Sequence, residues 1–455
     1  MLERLFQLQA RGTTPSTEIT AGVTTFMTMA YILAVNPNIL ATTGMSRDAV
    51  FFATCVGAAL VTIAMGLYVN YPVALAPGMG LNAYFAVVAS PNGGIPWEVA
   101  LGAVFLSGVI FVILTVTQIR QLLVVAVPNS LKKAITVGIG LFITIIGLKL
   151  SHLTIVSLHL GPSFDQIAET RGFGNLLHFE WDITMGALTQ PDTLLALIGL
   201  TITAGLMALK LRGSLLIGIV ATTLIGIPLG VTNLGDFTFA WPAFDDLAVG
   251  SMDVWGAIEM GIIAVILTFT FVELFDTFGT LVGTANKAGL LDEKGNSPQL
   301  GKAMMVDAGG VSLGAFLGTS AITAYVESAA GISEGGRTGL TAVITGILFL
   351  FALVLAPFFR IIPDAATAPA LIIVGVLMIS VVRDIDFNDF TEALPAFLTL
   401  SLMPFTYNIA NGIAAGIVFY TFLKVFTGKA RDVHWLMYAI TVLIVWRYAT
   451  LGAGH

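Results

Sequence analysis

Apolar residues recur along this 455-residue chain in runs of roughly 20, separated by short polar punctuation. These runs predict membrane-spanning helices near 19–36, 49–69, 72–90, 97–119, 130–149, 192–209 and 213–231. After an acidic, aromatic-containing loop, a second set follows at 256–285, 300–317, 320–333, 338–357, 367–382, 393–408 and 411–427. The pattern predicts an all-α polytopic membrane protein with about 14 transmembrane segments in two sets of seven. A further apolar stretch, 435–450, is short and carries Arg447, so it either spans or lies at the interface. The 150–190 loop carries Asp165, Glu169, Glu180 and Asp182, and the 232–255 loop carries Asp236, Asp245 and Asp246.

Two segments break the apolar pattern at matching places. The third contains Tyr71-Pro-Val-Ala-Leu-Ala-Pro77-Gly78-Met-Gly80-Leu-Asn82, which starts as extended chain and lets a new helix begin after Pro77. The tenth contains Gly318-Thr-Ser-Ala-Ile-Thr323-Ala-Tyr325-Val-Glu327-Ser328, β-tolerant and polar, then small. Both are third in their set of seven. Matched interrupted segments in two halves point to a midplane site in inverted-repeat transporters. Irregular backbone at that depth must face protein or a watery cavity. Half-helices starting after Gly78 and Tyr325 would offer free N–H groups to carbonyl oxygens.

Charge sharpens this picture. If Arg4 and Arg11 lie in the cytoplasm, the loops expected on that side hold Arg120, Lys132, Lys133, Lys210, Arg212, Lys287, Lys294, Lys302, Arg337, Arg383, Lys424, Lys429 and Arg431. The opposite loops hold most of the acids, with Arg47, Lys149, Arg171 and Arg360 as exceptions. Hydrophobic residues make up 56% and charged residues 10% of the chain, and the mean hydropathy is +0.93, outside the range of soluble domains. The net charge of −7 suggests no nucleic-acid partner. Met1 to Glu18 has no apolar core before a small-residue site, so no cleaved signal peptide is expected.

The chemistry concentrates in the eighth segment, at Glu273-Leu-Phe-Asp276-Thr-Phe-Gly-Thr280. A spacing of three puts both acids on one helix face beside Thr277 and Thr280. Ionisable groups at bilayer depth are costly and usually line an ion or substrate path. No basic residue lies between Ile258 and Asn286, and Glu327 adds a third acid in the broken tenth segment. Desolvated carboxylates in close company favour retaining a proton, which suits a relay. Around them the chain places Thr24, Thr25, Thr28, Asn82, Thr284, Thr323 and Ser328, interleaved with Phe26, Phe85, Phe275, Phe278 and Tyr325. Carboxylates, an amide and flat rings suit a planar heterocycle, stacked on its face and hydrogen-bonded at its edge.

Other chemistries lack their residues. Cys55 is the lone cysteine, and His152, His159, His178, His434 and His455 have no metal spacing, so no metal or cofactor is expected. There is no phosphate-cradling loop for ATP-driven pumping and no nucleophile motif. An anion carrier would call for a basic group near the broken helices, and an intramembrane aspartyl enzyme for a second catalytic Asp beside Asp276; neither is visible.

Several runs together resemble a known family: Gly22-Val-Thr-Thr-Phe-Met-Thr-Met-Ala-Tyr-Ile-Leu-Ala-Val-Asn-Pro37, Ala76-Pro-Gly-Met-Gly-Leu-Asn-Ala-Tyr-Phe85, Phe275-Asp-Thr-Phe-Gly-Thr-Leu-Val-Gly283, Thr323-Ala-Tyr-Val-Glu-Ser-Ala-Ala-Gly331 and Gly336-Arg-Thr-Gly-Leu-Thr-Ala342. They look like the AzgA-type purine permeases, a branch of the xanthine/uracil permease (nucleobase:cation symporter 2) family. The resemblance implies a seven-plus-seven inverted repeat with a core domain at 1–120 and 256–360 moving against a gate domain at 121–255 and 361–455. It implies proton-coupled import of hypoxanthine, guanine or adenine across a bacterial-type inner membrane, with the N-terminus cytoplasmic. By the same resemblance Asn82 is the amide of the third segment, Asp276 the acidic substrate ligand, Glu273 the acid one turn before it and Glu327 the acid of the tenth. Thr280, Ser328, Phe275 and Tyr325 complete the expected substrate site, and Glu273 with Asp276 the proton-coupling site. After Glu327 the chain reads Ser-Ala-Ala-Gly rather than the Asn-x-Gly of xanthine/uracil carriers, which favours purine bases over uracil. The expected partners are a purine base, protons and the lipid bilayer, with a homodimer as the assembly to test. Hypoxanthine and guanine lead, because a carboxylate can accept from N1–H while half-helix N–H groups receive O6; adenine is the alternative, and a xanthine/uracil carrier a weaker one.

Overall fold

The computed structural model describes residues 2–91, 94–117, 126–160, 179–237, 247–290 and 298–451. Side chains are described within these ranges except at 156–160, 179–183, 236, 264, 275, 276, 278, 279, 282, 286, 298, 447 and 449–451. The loop residues Arg120, Asp165, Glu169, Arg171, His178, Asp245, Asp246 and Lys294, with His455, lie outside the described residues. So do the side chains of His159, Glu180, Asp182, Asp236 and Arg447.

The chain runs through α1 (Leu2–Phe6), α2 (Pro15–Met29), α3 (Ile32–Ala41), α4 (Arg47–Ala64), β1 (Leu75–Pro77), α5 (Met79–Val88) and α6 (Trp97–Val116). It continues through α7 (Asn129–Leu150), β2 (Thr154–Leu160), β3 (Phe179–Met185), α8 (Pro191–Ala208), α9 (Ser214–Gly226) and α10 (Val254–Glu259). Next come α11 (Ile263–Lys287), α12 (Pro298–Leu317), β4 (Ile322–Ala324), α13 (Ser328–Ser333), α14 (Gly339–Phe351) and α15 (Ala356–Arg360). The last helices are α16 (Asp364–Ile379), α17 (Phe390–Phe405), α18 (Ile409–Phe426) and α19 (Trp435–Leu451).

Among the described residues, nine helices are long and apolar enough to cross a membrane. Shorter apolar helices cover 79–88, 214–226, 265–274, 390–405 and 435–446. The all-α expectation is corrected to mostly helical with two small antiparallel pairs. β2 pairs with β3, Thr154 opposite Met185 through Leu160 opposite Phe179, inside what read as a long acidic loop. Its first strand, Thr-Ile-Val-Ser-Leu-His-Leu, alternates apolar and polar from Val156 to Leu160 and carries β-branched residues, which favours pairing. The other pair, β1 with β4, joins the two broken segments.

Packing follows two neighbourhoods. The helices α3, α12 and α14 pack around α4, α2 lies on α14 and carries α13, and α6 packs on α10, α11 and α12. Elsewhere α7 lies against α16 and α17, α8 against α9 and α16, and α18 against α17 and α19. Tyr31, Phe85, Phe111, Phe142, Phe269 and Phe349 are fully buried between them.

The N-terminal region is bound into the fold. Glu18 is fully buried, and its carboxylate accepts from the N–H groups of Arg337 (2.8 Å), Thr338 (3.3 Å) and Thr341 (3.2 Å) and from the Thr341 hydroxyl (2.6 Å). An anion there satisfies orphan N–H groups at the start of α14 and complements its dipole. After α4 a single π-helical turn, Met65–Val69, ends at Asn70 with φ 56°, a left-handed position that asparagine tolerates. The Asn70 amide donates to Phe6 O at 3.0 Å and accepts from Gly339 N at 2.7 Å, tying α1 and α14 together. There the backbones of Gly66 and Gly339 meet so closely that a Cβ on Gly339 would fall on Gly66 O.

This contact is testable. Gly339→Val forces α14 away from the π turn and is predicted to destabilise the protein by about 1–3 kcal/mol. Thermal unfolding of purified protein in detergent should show a clearly lower midpoint; an unchanged midpoint would mean that the two backbones do not need this approach.

Candidate functional site

The two broken segments cross at the centre of the first neighbourhood. In the antiparallel pair Leu75 lies opposite Ala324, Ala76 opposite Thr323 and Pro77 opposite Ile322. Proline removes a donor and two short strands cannot satisfy each other fully, so side chains take up the remaining backbone groups. The Thr62 hydroxyl donates to Leu75 O and accepts from Leu75 N, both at 2.9 Å. Ala74 N donates to the Ser328 hydroxyl (3.0 Å), and Tyr325 N donates to Ala74 O (3.0 Å). The Tyr325 hydroxyl donates to Pro77 O at 2.5 Å, Gly78 N to Ala321 O at 2.9 Å, and Ala324 N to the carboxylate of Asp307 at 3.0 Å. α5 then starts after Gly78, as expected. The second half-helix starts at Ser328 rather than directly after Tyr325, with Glu327 at its N-cap.

Asn82 stands in the first turn of α5 and is fully buried. Its amide donates to Asn36 Oδ1 (2.6 Å) and weakly to Pro77 O (3.5 Å), and it accepts from the Ser320 hydroxyl. Asn36 in turn donates to the hydroxyls of Thr54 (2.8 Å) and Thr319 (2.9 Å). The network fixes both amides and ties α3, α4, α5 and the chain before β4 together. Direct contact of Asn82 with a ligand would require these bonds to be exchanged. The Ser328 hydroxyl and Tyr325 are likewise engaged with the β1 segment.

The acids are distributed around this crossing. Glu273 is 1% exposed, and its Oε1 accepts from the Thr277 hydroxyl at 2.9 Å. Thr277 lies 2.8 Å from the Thr323 hydroxyl of β4, so α11 is hydrogen-bonded directly to the strand pair. Glu327 is half-buried, and its Oε1 accepts from the Tyr31 hydroxyl at 2.9 Å where α2 gives way to α3. Asp276 lies on α11 between Glu273 and Thr277, with its side chain, and that of Phe275, outside the described residues. Thr280 is half-buried one turn further on.

Of the other polar and aromatic candidates, Thr28 donates to Thr24 O and Thr25 O within its own helix, and Thr284 to Thr280 O and Leu281 O. Phe26 packs edge-on against Phe349 at 5.2 Å and Phe85 is fully buried, so both serve the core. The Phe278 side chain lies outside the described residues.

Four residues escaped the reading of the sequence: Tyr31, Asn36, Asp307 and Ser320. Asp307 carried a signal, as the only acid in the 300–317 segment. The others are ordinary polar residues whose role exists only once distant segments meet. Truncating one leaves its buried partners unsatisfied, at about 1–3 kcal/mol. Asn36→Ala is therefore predicted to lower the unfolding midpoint of the purified protein, whereas a wild-type midpoint would mean the network contributes nothing.

Comparison with known proteins extends this picture. The model of the xanthine/uracil permeases, described as "Permease family", matches residues 16–415. A putative permease of Methanocaldococcus jannaschii is 46% identical over 451 residues, covering 99% of each chain. The adenine permease AdeP of Escherichia coli is 42% identical, covering 100% of this chain and 97% of its own length. The guanine/hypoxanthine permease PbuG of Bacillus subtilis is 40% identical over 98% of each. Among solved structures, the transmembrane domain of the cyanobacterial bicarbonate transporter BicA superposes with a TM-score of 0.62 at 17% identity, covering 88% of this chain and 97% of that one. That likeness concerns the fold alone.

Proposed function

Given that this chain belongs to the xanthine/uracil permease (nucleobase:cation symporter 2) family, and so is a multi-pass membrane transporter of nucleobases and not an enzyme, we propose that it imports purine bases by proton symport. The observation that carries this reading is the β1–β4 crossing, where two half-helices start beside Glu273, Asp276 and Glu327. Asp276 and Glu327 accept from the ring N–H and amine of the base. N–H groups at the start of α5 donate to its carbonyl, as helix starts favour. Thr280, Phe275 and Tyr325 line the base, and Asn82 and Ser328 hold the half-helix and the strand that present those groups. Glu273 serves proton coupling beside Asp276.

The architecture that goes with this function is the seven-plus-seven inverted repeat, the core at 1–120 and 256–360, and the gate at 121–255 and 361–455. The two packing neighbourhoods and the placement of β1 and β4 in the third and tenth segments support it. The basic loops support a cytoplasmic N-terminus in a bacterial-type inner membrane.

Hypoxanthine and guanine are the leading substrates, since a carboxylate pairs with N1–H and the exocyclic amine while O6 meets N–H donors. Adenine is the second reading, favoured by the 42% identity to an adenine permease. Uptake of labelled hypoxanthine in a purine-transport-null strain, competed by each base, separates the two: hypoxanthine and guanine should compete more strongly than adenine, and the reverse order would assign adenine. Uptake should collapse with a protonophore and survive sodium removal. Sodium dependence without any response to a pH gradient would contradict symport with protons.

Asp276→Asn and Glu327→Gln should each reach the membrane and lose transport. Loss of a charged hydrogen bond costs about 1.5–3 kcal/mol, roughly ten- to hundredfold in affinity. Normal uptake in either variant would remove that residue from the site.

A further inference from the structure

Glu273 and Asp307 are joined by a continuous chain of oxygen atoms. Both are buried, Glu273 on α11 at 1% exposure and Asp307 on α12 at 0%. Thr277 Oγ1 lies 2.9 Å from Glu273 Oε1 and 2.8 Å from Thr323 Oγ1. Thr323 Oγ1 lies 3.3 Å from Asp307 Oδ1, the oxygen that also accepts from Ala324 N at 3.0 Å.

Each of these three oxygen–oxygen contacts needs one hydrogen to be a bond, and a hydroxyl carries only one. Two threonines supply two hydrogens for three contacts. With both acids ionised one contact is left empty, and the longest, at 3.3 Å, is the one that fits. A third proton on either carboxyl fills the chain. With the proton on Asp307, that acid donates to Thr323, Thr323 to Thr277, and Thr277 to Glu273. With the proton on Glu273, every bond reverses, and Thr323 donates to Asp307. The two arrangements differ by one proton shift at each of the three contacts, with no proton gained or lost.

We propose that Glu273 and Asp307 together hold one dissociable proton, passed between them through the hydroxyls of Thr277 and Thr323, and that this pair is the coupling site of the transporter. The inference rests on the reading of the protein as a proton-coupled importer and moves the partner of Glu273 from Asp276 to an acid on the neighbouring helix. The proton comes from the aqueous phase and returns to it. Because Thr323 belongs to β4 and Ala324 N binds the same Asp307 oxygen, the state of this chain is felt directly by the strand crossing.

Among the described side chains, most charged and titratable groups on the elements around α11 and α12 have partners elsewhere, and the side chain of Asp276, on α11 itself, lies outside the described residues. Lys132 donates to Asn129 Oδ1, Lys133 to Asp384 O, and Lys149 lies over Tyr407. Lys424 pairs with Glu392 at 2.7 Å and lies over Tyr420, Arg47 pairs with Asp364, Asp48 with Arg360, and Lys302 lies over Tyr68. Glu98 stands at the start of α6 and Lys287 at the end of α11, while Glu327 binds Tyr31, and Tyr71 and Tyr325 bind backbone carbonyls. Tyr84 packs on Phe269, and Cys55 is buried in α4.

The test is infrared absorption of the protonated carboxyl during a pH titration of the full-length protein in lipid, without substrate. Glu273→Gln and Asp307→Asn should each shift the frequency and titration midpoint of the same single-proton band, and Thr277→Val, which keeps the shape but cuts the chain, should replace it with two separate titrations. Two bands in the wild type, each lost in only one variant, would overturn the shared proton, as would a band indifferent to Asp307→Asn. In vesicles Asp307→Asn should exchange labelled hypoxanthine across the membrane while its accumulation ratio falls to about one; normal accumulation would overturn the coupling role. If the band behaves as stated but wild-type uptake ignores a pH gradient, the symport reading and the coupling role fall and the shared proton stands.

Discussion

The structure turns on one constraint: two stretches of extended backbone cross in the middle of an apolar helical protein. An unsatisfied backbone group costs several kcal/mol where no water can reach it. β1 and β4 meet this cost by pairing with each other and by drawing on Thr62, Ser328, Asp307 and Tyr325 for the groups the pairing leaves over. Those side chains must come from α4, α12 and the two broken segments at once, so the surrounding helices are held in fixed register. The Asn36–Asn82–Ser320 network and the Glu273–Thr277–Thr323 chain extend the same arrangement outward. Buried polar networks of this kind specify one arrangement strongly because a half-satisfied alternative is so unfavourable.

The device that stabilises the crossing also suits it to transport. Breaking an apolar helix creates helix starts whose first N–H groups have no partner within the helix, and Glu273 on α11 and Glu327 at the head of α13 stand near them. A base that carries both donors and acceptors on a flat edge matches that mixture, whereas a simple anion would find carboxylates in its way. The superposition on the transmembrane domain of a bicarbonate transporter at 17% identity concerns the fold alone, and a shared fold does not fix what is carried.

Much of the plan was legible in the chain because it rests on local signals. Pro77-Gly78 and the Gly318–Ser328 run interrupt apolar segments visibly, and Glu273 and Asp276 stand out from charge-free surroundings. What stayed hidden depends on distance in sequence. Asn82 meets Ser320 across 238 positions and Asn36 across 46, and Tyr31 meets Glu327 across 296, so nothing near any of them announces the bond. Asp307 stood alone in an apolar run, yet its partner became apparent only when α12 was set against β4. The β2–β3 pair was missed for another reason: its acidic surroundings outweighed the short period-two alternation of 156–160.

The central claim is that the purine binds at the β1–β4 crossing. Val326 is 63% exposed between Tyr325 and Glu327, and the native Cys55 is fully buried in α4. In a Cys55→Ala background, the rate of thiol alkylation of Val326→Cys can be followed in membranes with and without hypoxanthine or adenine. The account predicts that the transported base slows alkylation at a concentration matching its half-saturation of uptake. A variant that transports normally yet is alkylated at the same rate with saturating base would place the substrate elsewhere.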